Sequence, residues 1–264
     1  MDRRLTNRRQ VGLPGISISG TALKWIGFIL ICLSSFSAAV IQRGIMGFDA
    51  DVTAEIMYQA MSPEGGMMGP GTAAVICSLM SVMALPIYVH LLCEGQRHTK
   101  DVKLYVIRLL VCALVSEIPY DFAMSGQWFD FSVQNPLWAM GLGVIMIEIC
   151  QMWKGKPGAG SIAIRVVVVV AAIIWALLLR VHMGALLILL ITLFHFARQN
   201  KLAFYILGIG LTSLQFPAPI GLLFVSWHDG TPTRGPRWLF YVLYPVQLLL
   251  FGAWAVYVAS GMWK

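Results

Sequence analysis

Apolar residues run along this chain in stretches of about 20, the length an α-helix needs to cross the hydrocarbon core of a bilayer. Most of the polar residues fall in the breaks between the stretches. The apolar runs fall near 22–42, 71–93, 104–120, 136–152, 162–179, 183–197, 202–226 and 238–259, which predicts an all-α, polytopic transmembrane bundle of about eight spans. Residues 43–70 form the one long connection, and Asp51 is placed there to cap a short interfacial helix whose Ala54, Met57, Tyr58 and Met61 share a face. Gly65, Gly66, Gly69, Pro70 and Gly71 then break it. The run 202–226 is interrupted by Gly208, Gly210, Pro217 and Pro219, a pattern that fits one kinked span or two half-helices. A basic lead-in, 1–20, precedes a single membrane domain, 21–264; the first run ends in Arg43 and Gly44, so it reads as an anchor helix and not a cleaved signal.

Composition agrees with this reading: 58% of the 264 residues are hydrophobic, 12% are charged, and the mean hydropathy is +0.76. That excludes a soluble domain. The net charge of +7 would suit a nucleic-acid partner if it formed a patch. Instead it is sorted by topology. Arg3, Arg4, Arg8, Arg9, Lys24, Arg97, Lys100, Lys103, Arg108, Lys154, Lys156, Arg165, Arg198, Lys201 and Lys264 fall on one side of the predicted spans. Only Arg43, Arg180, Arg234 and Arg237 fall on the other, and the last two fit the pattern least well. Positive charge stays inside, so both termini are expected in the cytoplasm, the bilayer is the expected partner and nucleic acid is not. Cys32, Cys77, Cys93, Cys112 and Cys150 lie in or beside helices without C-x-x-C spacing and read as small buried hydrophobes.

Candidate chemistry concentrates in residues 85–123, where His90, Glu94, Arg97, His98, Lys100, Asp101, Lys103, Arg108, Glu117 and Asp121 interrupt apolar sequence. An ionised side chain at the bilayer centre costs about 2.5–3.5 kcal/mol on insertion scales, so such groups face a bundle interior and are paired there. His90, Glu94 and His98 recur every four residues, the spacing of one helix face. Gly95 at the helix end disfavours a metal geometry, and a hydrogen-bonded set is expected instead. Arg108 and Glu117 are about 13 Å apart along a helix and on opposite faces, so each needs a partner elsewhere. Glu94 or His98 is the expected partner of Arg108, and Arg180 or Asn135 that of Glu117.

The run PIYVHLLCEGQRHTKDVKLYVIRLL followed by ALVSEIPYDFA resembles the TraX family of polytopic membrane proteins. Typical members carry an FP-x-F-x-F-L-L-x-E-G-x-x-H-T turn, a K-Y-L-x-R-L-L helix and an S-E-I-P-F-D end. QNPLWAMGLGVIMI and WLFYVLYPVQLLLF resemble later family segments, which extends the likeness over roughly 21–258. The resemblance implies an acetyltransferase-like protein of a bacterial inner or plasma membrane, with acetyl-CoA or another acyl-CoA as donor and a pilin-like or other membrane protein as partner. It also implies a catalytic set of His98, Glu94, Arg108, Glu117 and Asp121, with Arg97, Lys100 and Lys103 as a basic mouth for the donor's phosphates.

This chain departs from the family pattern where catalysis would need it. An Asp-His pair is typical about ten residues after a Lys in the first span; counting from Lys24, Ser34 and Ser35 stand there. Val82 replaces an Arg four residues before Pro86, His182 replaces an Asp, and Gln247 replaces a His near the end. Amide formation from a thioester needs a base for the amine and donors for the oxyanion. Three functions follow as expectations: a catalytically degenerate relative kept for binding or assembly, an active acyltransferase using His90, His98 or His182 as its base, and a small-molecule transporter or channel.

Overall fold

A computed structural model describes residues 17–48, 53–153, 155, 158–236 and 238–261, and every regular element among them is helical. The lead-in arginines, Asp51, Lys154, Lys156, Arg237 and Lys264 lie outside the described residues. Eleven α-helices follow in order: α1 (Gly20–Ser35), α2 (Ala54–Met61), α3 (Met68–Ser81), α4 (Ala84–His98), α5 (Val102–Met124), α6 (Leu137–Gln151), α7 (Ala159–Leu178), α8 (Gly184–Phe196), α9 (Lys201–Thr212), α10 (Pro219–Ser226) and α11 (Leu239–Ala259). The helix α1 continues as a π-helix over Phe36–Ile45. The expected short helix is present as α2, and Thr53 caps it by accepting from the Ile56 amide at 3.3 Å.

Local chemistry sets the breaks. Pro86 has no amide proton, and its ring crowds the carbonyl four residues earlier. That carbonyl belongs to Val82, and the backbone turns at Val82 and Met83 between α3 and α4. Asp101 caps α5 by accepting from the Leu104 amide at 3.0 Å, which keeps the α4–α5 turn tight. Helix α5 runs through Pro119 without stopping. In α11, Pro245 frees the Tyr241 carbonyl, and the Cys112 thiol donates to it at 3.7 Å.

Four helical stretches are long and apolar enough to cross a membrane: Gly20–Ile45, Met68–His98, Ala159–Leu178 and Leu239–Ala259. Leu137–Gln151 and the stretch Gly184–Gln199 are shorter apolar helices. Helix α5 has the length, with 23 residues, but carries Lys103, Arg108, Glu117 and Asp121. The main core joins α1, α4, α6, α7, α8 and α10 through Leu23, Ile87, Val144, Ala176, Ile188 and Leu222.

Eight spans with both termini on one side are not shown by the described residues, of which four helical stretches qualify as spans. Helices α9 and α10 do not make one crossing: they form an antiparallel hairpin in which Gly208 packs on Leu222. The chain returns to the end it left, where the Ile18 amide donates to the Trp227 carbonyl at 2.8 Å and the Asp229 amide to the Ile18 carbonyl at 3.1 Å. Helix α11 therefore starts beside the start of α1, with Phe240 5.0 Å from Trp25. It then runs parallel to α1, placing Gln247 on Ser35 and Ala255 against Gly44. Residues 17 and 261 thus lie at opposite ends of the bundle. The hairpin also moves Arg234 to the end that holds Lys24, Lys100 and Lys201, here called the basic end, and so removes one of the two misfits in the charge pattern. Gly221 permits the close packing of α10, because a Cβ there would collide with the Met83 carbonyl and Pro86 at the α3–α4 break.

This arrangement makes a labelling prediction. In a background without other thiols, Lys100→Cys and Ser260→Cys are both exposed and should react with a membrane-impermeant maleimide from opposite faces. Reaction of both from the same face would rule out the parallel placement of α1 and α11.

Candidate functional site

A cavity of about 990 Å³ lies between α1, α4, α5 and α11, with α6 and α8 behind it. At the basic end its wall carries Lys24, Glu94, His98, Arg108 and Arg234; at the far end it reaches Asp121, Asp130 and His182. Between these ends it is mostly apolar, with Tyr88, Tyr105, Tyr120, Tyr241 and Tyr244 among its lining residues. The basic mouth is roofed by residues 228–236, which are stitched to the entry of α1. There the Gly20 amide donates to Thr231 Oγ1 at 3.2 Å and the Arg234 amide to Thr21 Oγ1 at 2.8 Å. Lys24 stands with its ammonium 4.1 Å from the centre of the Phe240 ring.

The positions that depart from the family pattern converge on this one cavity. Ser34, Ser35, Val82 and His182 all line it. Gln247 joins them by donating from Nε2 to Ser35 Oγ at 3.2 Å, a bond that links α11 to α1 in the buried centre. Where the resemblance expects two imidazoles and a carboxylate, the chain has a serine–glutamine hydrogen bond. Neither group titrates near neutrality.

The charged residues of the 85–123 stretch divide into separate groups. Glu94 is a hub: its carboxylate meets Arg97 at 3.1 Å, His98 Nε2 at 3.1 Å and Arg198, at the end of α8, at 3.3 Å. Gln96 is buried beside it and donates to Glu148 on α6. Glu117 is held by α6, accepting from the Asn135 amide at 3.1 Å, from Asn135 Nδ2 at 2.6 Å and from Trp138 Nε1 at 2.7 Å. Asn135 is thus the partner of Glu117, one of the two expected. Asp121 is buried, with Oδ2 accepting the Asp130 amide at 2.9 Å and Oδ1 unpartnered. His90 packs edge-on to His228 at 5.2 Å and lies away from His98.

The structure places the other candidates as follows. Glu94, His98, Arg108 and Asp121 line the cavity; Glu117 is not among its lining residues. Arg97 is engaged with Glu94, and Lys100 and Lys103 are exposed beyond the mouth. Arg108 does not meet the expectation of a buried pair with Glu94 or His98. It is exposed and makes no ion pair among the described residues, because Glu94 is already shared by Arg97, His98 and Arg198. Arg108→Ala should therefore leave folded yield and melting temperature close to those of the unmodified chain, with a change within ~0.5 kcal/mol. The sequence pattern pointed to Tyr241 and Tyr244 as polar-core positions but not to Lys24, Arg234, Tyr88, Tyr105 or Tyr120. The available signal was the set of tyrosine hydroxyls in mid-span, since buried hydroxyls need partners or a polar space.

Outside the spanning segments the electrostatics are local. Donation by Ser132 holds the Asp130 carboxyl below the usual carboxylate range, and donation by Thr231 does the same for Asp229. Desolvation by the surrounding protein pushes the His182 imidazole down from the ordinary histidine range. Among the described residues, no three His, Cys, Asp or Glu side chains gather as a metal site would require.

No curated protein and no solved structure matches the chain. A family model does match: the one described as TraX protein, aligned over residues 19–254. It spans α1 to most of α11, including every wall of the cavity and the positions of both serines and Gln247. With nearly the whole chain matched, this membrane-helix protein belongs to the TraX protein family.

Proposed function

We propose that this chain is a membrane-embedded binding protein built on an acetyltransferase scaffold, one that holds an acyl ligand in its cavity without efficient transfer. One observation carries the reading: Ser34 and Ser35 border the cavity where a general base would stand, and Ser35 accepts a hydrogen bond from Gln247 in place of a titratable pair. Two families of contact support a ligand there. The volume is at the upper end of the roughly 300–1,000 Å³ usual for small-molecule sites, and the cationic wall of Lys24, Arg108 and Arg234 suits phosphates, which need only donors and positive charge. An acyl-CoA fits that donor set. Those three residues would hold its phosphates, and the thioester would supply an activated acyl group. Arg97, Lys100 and Lys103 would then steer the anion from outside.

In this reading the basic end faces the cytoplasm of a bacterial cell and the chain sits in the inner membrane, following the lysine and arginine asymmetry. A pilin-like or other membrane protein remains the proposed partner.

A specific contact favours a second reading, an active acyltransferase. His98 and Glu94 form a carboxylate–imidazole pair at the cavity mouth, the arrangement that orients a histidine base. Two guanidiniums share the same carboxylate, which weakens its hold on the imidazole and favours the binding role. The test is acetyl transfer from acetyl-CoA to a peptide amine by purified protein. Turnover at background level with retained acyl-CoA binding is the expected result; robust turnover lost in His98→Gln overturns it.

A further inference from the structure

A second cavity of about 320 Å³ opens on the side of the bundle, between α2, α3 and the tip of the α9–α10 hairpin. Its wall is formed chiefly by Met57, Val75, Leu79 and Phe216, with Thr53 and Gln215, and also Ser78 and Gln42, as polar groups. The neighbouring face of α3 is exposed at Val75, Ile76, Leu79 and Met80, and Phe216 at the hairpin tip is 73% exposed. In a membrane-spanning bundle such a face meets lipid. Helix α9 has 12 residues, about 18 Å of rise. The tip therefore lies beyond the middle of a hydrocarbon core of about 30 Å, in the leaflet at the far end.

The groove does not end at the bundle surface. Gln42 and Val82 line both it and the main cavity, so these two side chains form part of the wall between them. Val82 offers an apolar surface at that shared wall. Gln42 is held aside, its Nε2 donating to Ser37 Oγ at 3.2 Å. It sits on the π-helix, a distortion that recurs at functional sites because it displaces side chains from the regular helical pattern.

We propose that this groove is a lateral portal through which one acyl chain of a bilayer lipid enters the main cavity from the leaflet at the far end, passing Val82 and Gln42 to lie along Tyr88 and Leu248. The polar residues Thr53 and Gln215 keep the headgroup at the surface, and the apolar walls take the chain. The inference rests on the reading that the cavity binds an acyl ligand, and it adds a membrane lipid, entering from the far end, to the acyl-CoA proposed for the basic mouth. Desolvation drives entry only weakly, because the chain leaves one apolar medium for another.

The test uses the full chain in phosphatidylcholine nanodiscs containing a phosphatidylcholine with a diazirine at the end of one acyl chain. After illumination, labelled residues are mapped by mass spectrometry. Leu248 is 1% exposed, and both it and Tyr88 line the cavity, so label on them reports a chain inside. Trp175 on α7, 57% exposed, reports ordinary lipid contact. The expected result is label on Tyr88 and Leu248 as well as Trp175, with the cavity label reduced at least tenfold by Leu79→Trp, a half-exposed site at the groove wall, and Trp175 unchanged. Label confined to Trp175 in the unmodified protein overturns the proposal, as does cavity label indifferent to Leu79→Trp. A parallel arm adds the diazirine as a free fatty acid to unlabelled bilayers, and cavity label in that arm alone replaces the lipid with a free acid. The labelling reads entry and the acetyl-transfer assay reads turnover, so the portal and the absence of transfer fail separately.

Discussion

Installing Ser34→Asp, Ser35→His and Gln247→His together should raise acetyl transfer to a peptide amine by about 10²-fold or more over the unmodified chain. The figure is the low end of the ~10²–10⁴ that a positioned general base contributes. The geometry favours recovery because two of the three positions already meet and the third adjoins one of them in sequence. Ser35 and Gln247 are within hydrogen-bonding distance across α1 and α11, and Ser34 and Ser35 border the cavity, which provides room for larger side chains. A histidine at 35 would face a neighbour at 247 on the helix that now bonds it, and the carboxylate at 34 would fix its tautomer. The measurement is radiolabelled acetyl transfer from acetyl-CoA, run with a melting curve so that loss of fold is not mistaken for loss of chemistry. A folded triple variant no faster than the parent would show that more than the base is missing. Val82, in place of the expected Arg, is the next position to restore.

Glu117→Ala should be the most destabilising single change in the 85–123 stretch. The carboxylate accepts from three donors on the α6 side, the Asn135 amide, Asn135 Nδ2 and Trp138 Nε1. Removing it strands at least two of them, since Asn135 Nδ2 keeps the Ala113 carbonyl at 2.8 Å. An unsatisfied buried donor costs about 1–3 kcal/mol, so a loss of about 3 kcal/mol is expected. Glu117→Gln keeps one acceptor oxygen and should restore part of it. Thermal unfolding in detergent gives the comparison. A normal melt for Glu117→Ala with loss of acyl-CoA binding would return Glu117 to the ligand site.

Much of the site was legible in the sequence as a set of positions. Glu94, His98, Arg108 and Asp121 stand in one stretch and all reach the cavity; Ser34, Ser35, Val82, His182 and Gln247 were marked as departures while still scattered over the chain. The pairing was not legible. Glu94 lies one helical turn from both Arg97 and His98, yet its third partner, Arg198, comes from the end of α8, and no spacing rule connects residues 94 and 198. Arg108, expected to need a partner, faces open space at the cavity mouth. The cost of a charge in a span is relieved as well by water in a cavity as by a counter-ion.

The sequence by itself determined the helices, their apolar character and the separation of charge, because these depend on composition and on local chemistry such as the Asp101 cap and the Pro86 break. It did not determine how many times the chain crosses. Hydropathy registers that 202–226 prefers lipid or protein to water, and it has the same value whether the segment crosses or turns back. Only the packing of Gly208 on Leu222, and of residues 227–229 on Ile18, decided for the hairpin. That one decision reversed α11, set it parallel to α1 and brought Gln247 onto Ser35, so the centre of the cavity exists through contacts between residues more than 200 positions apart.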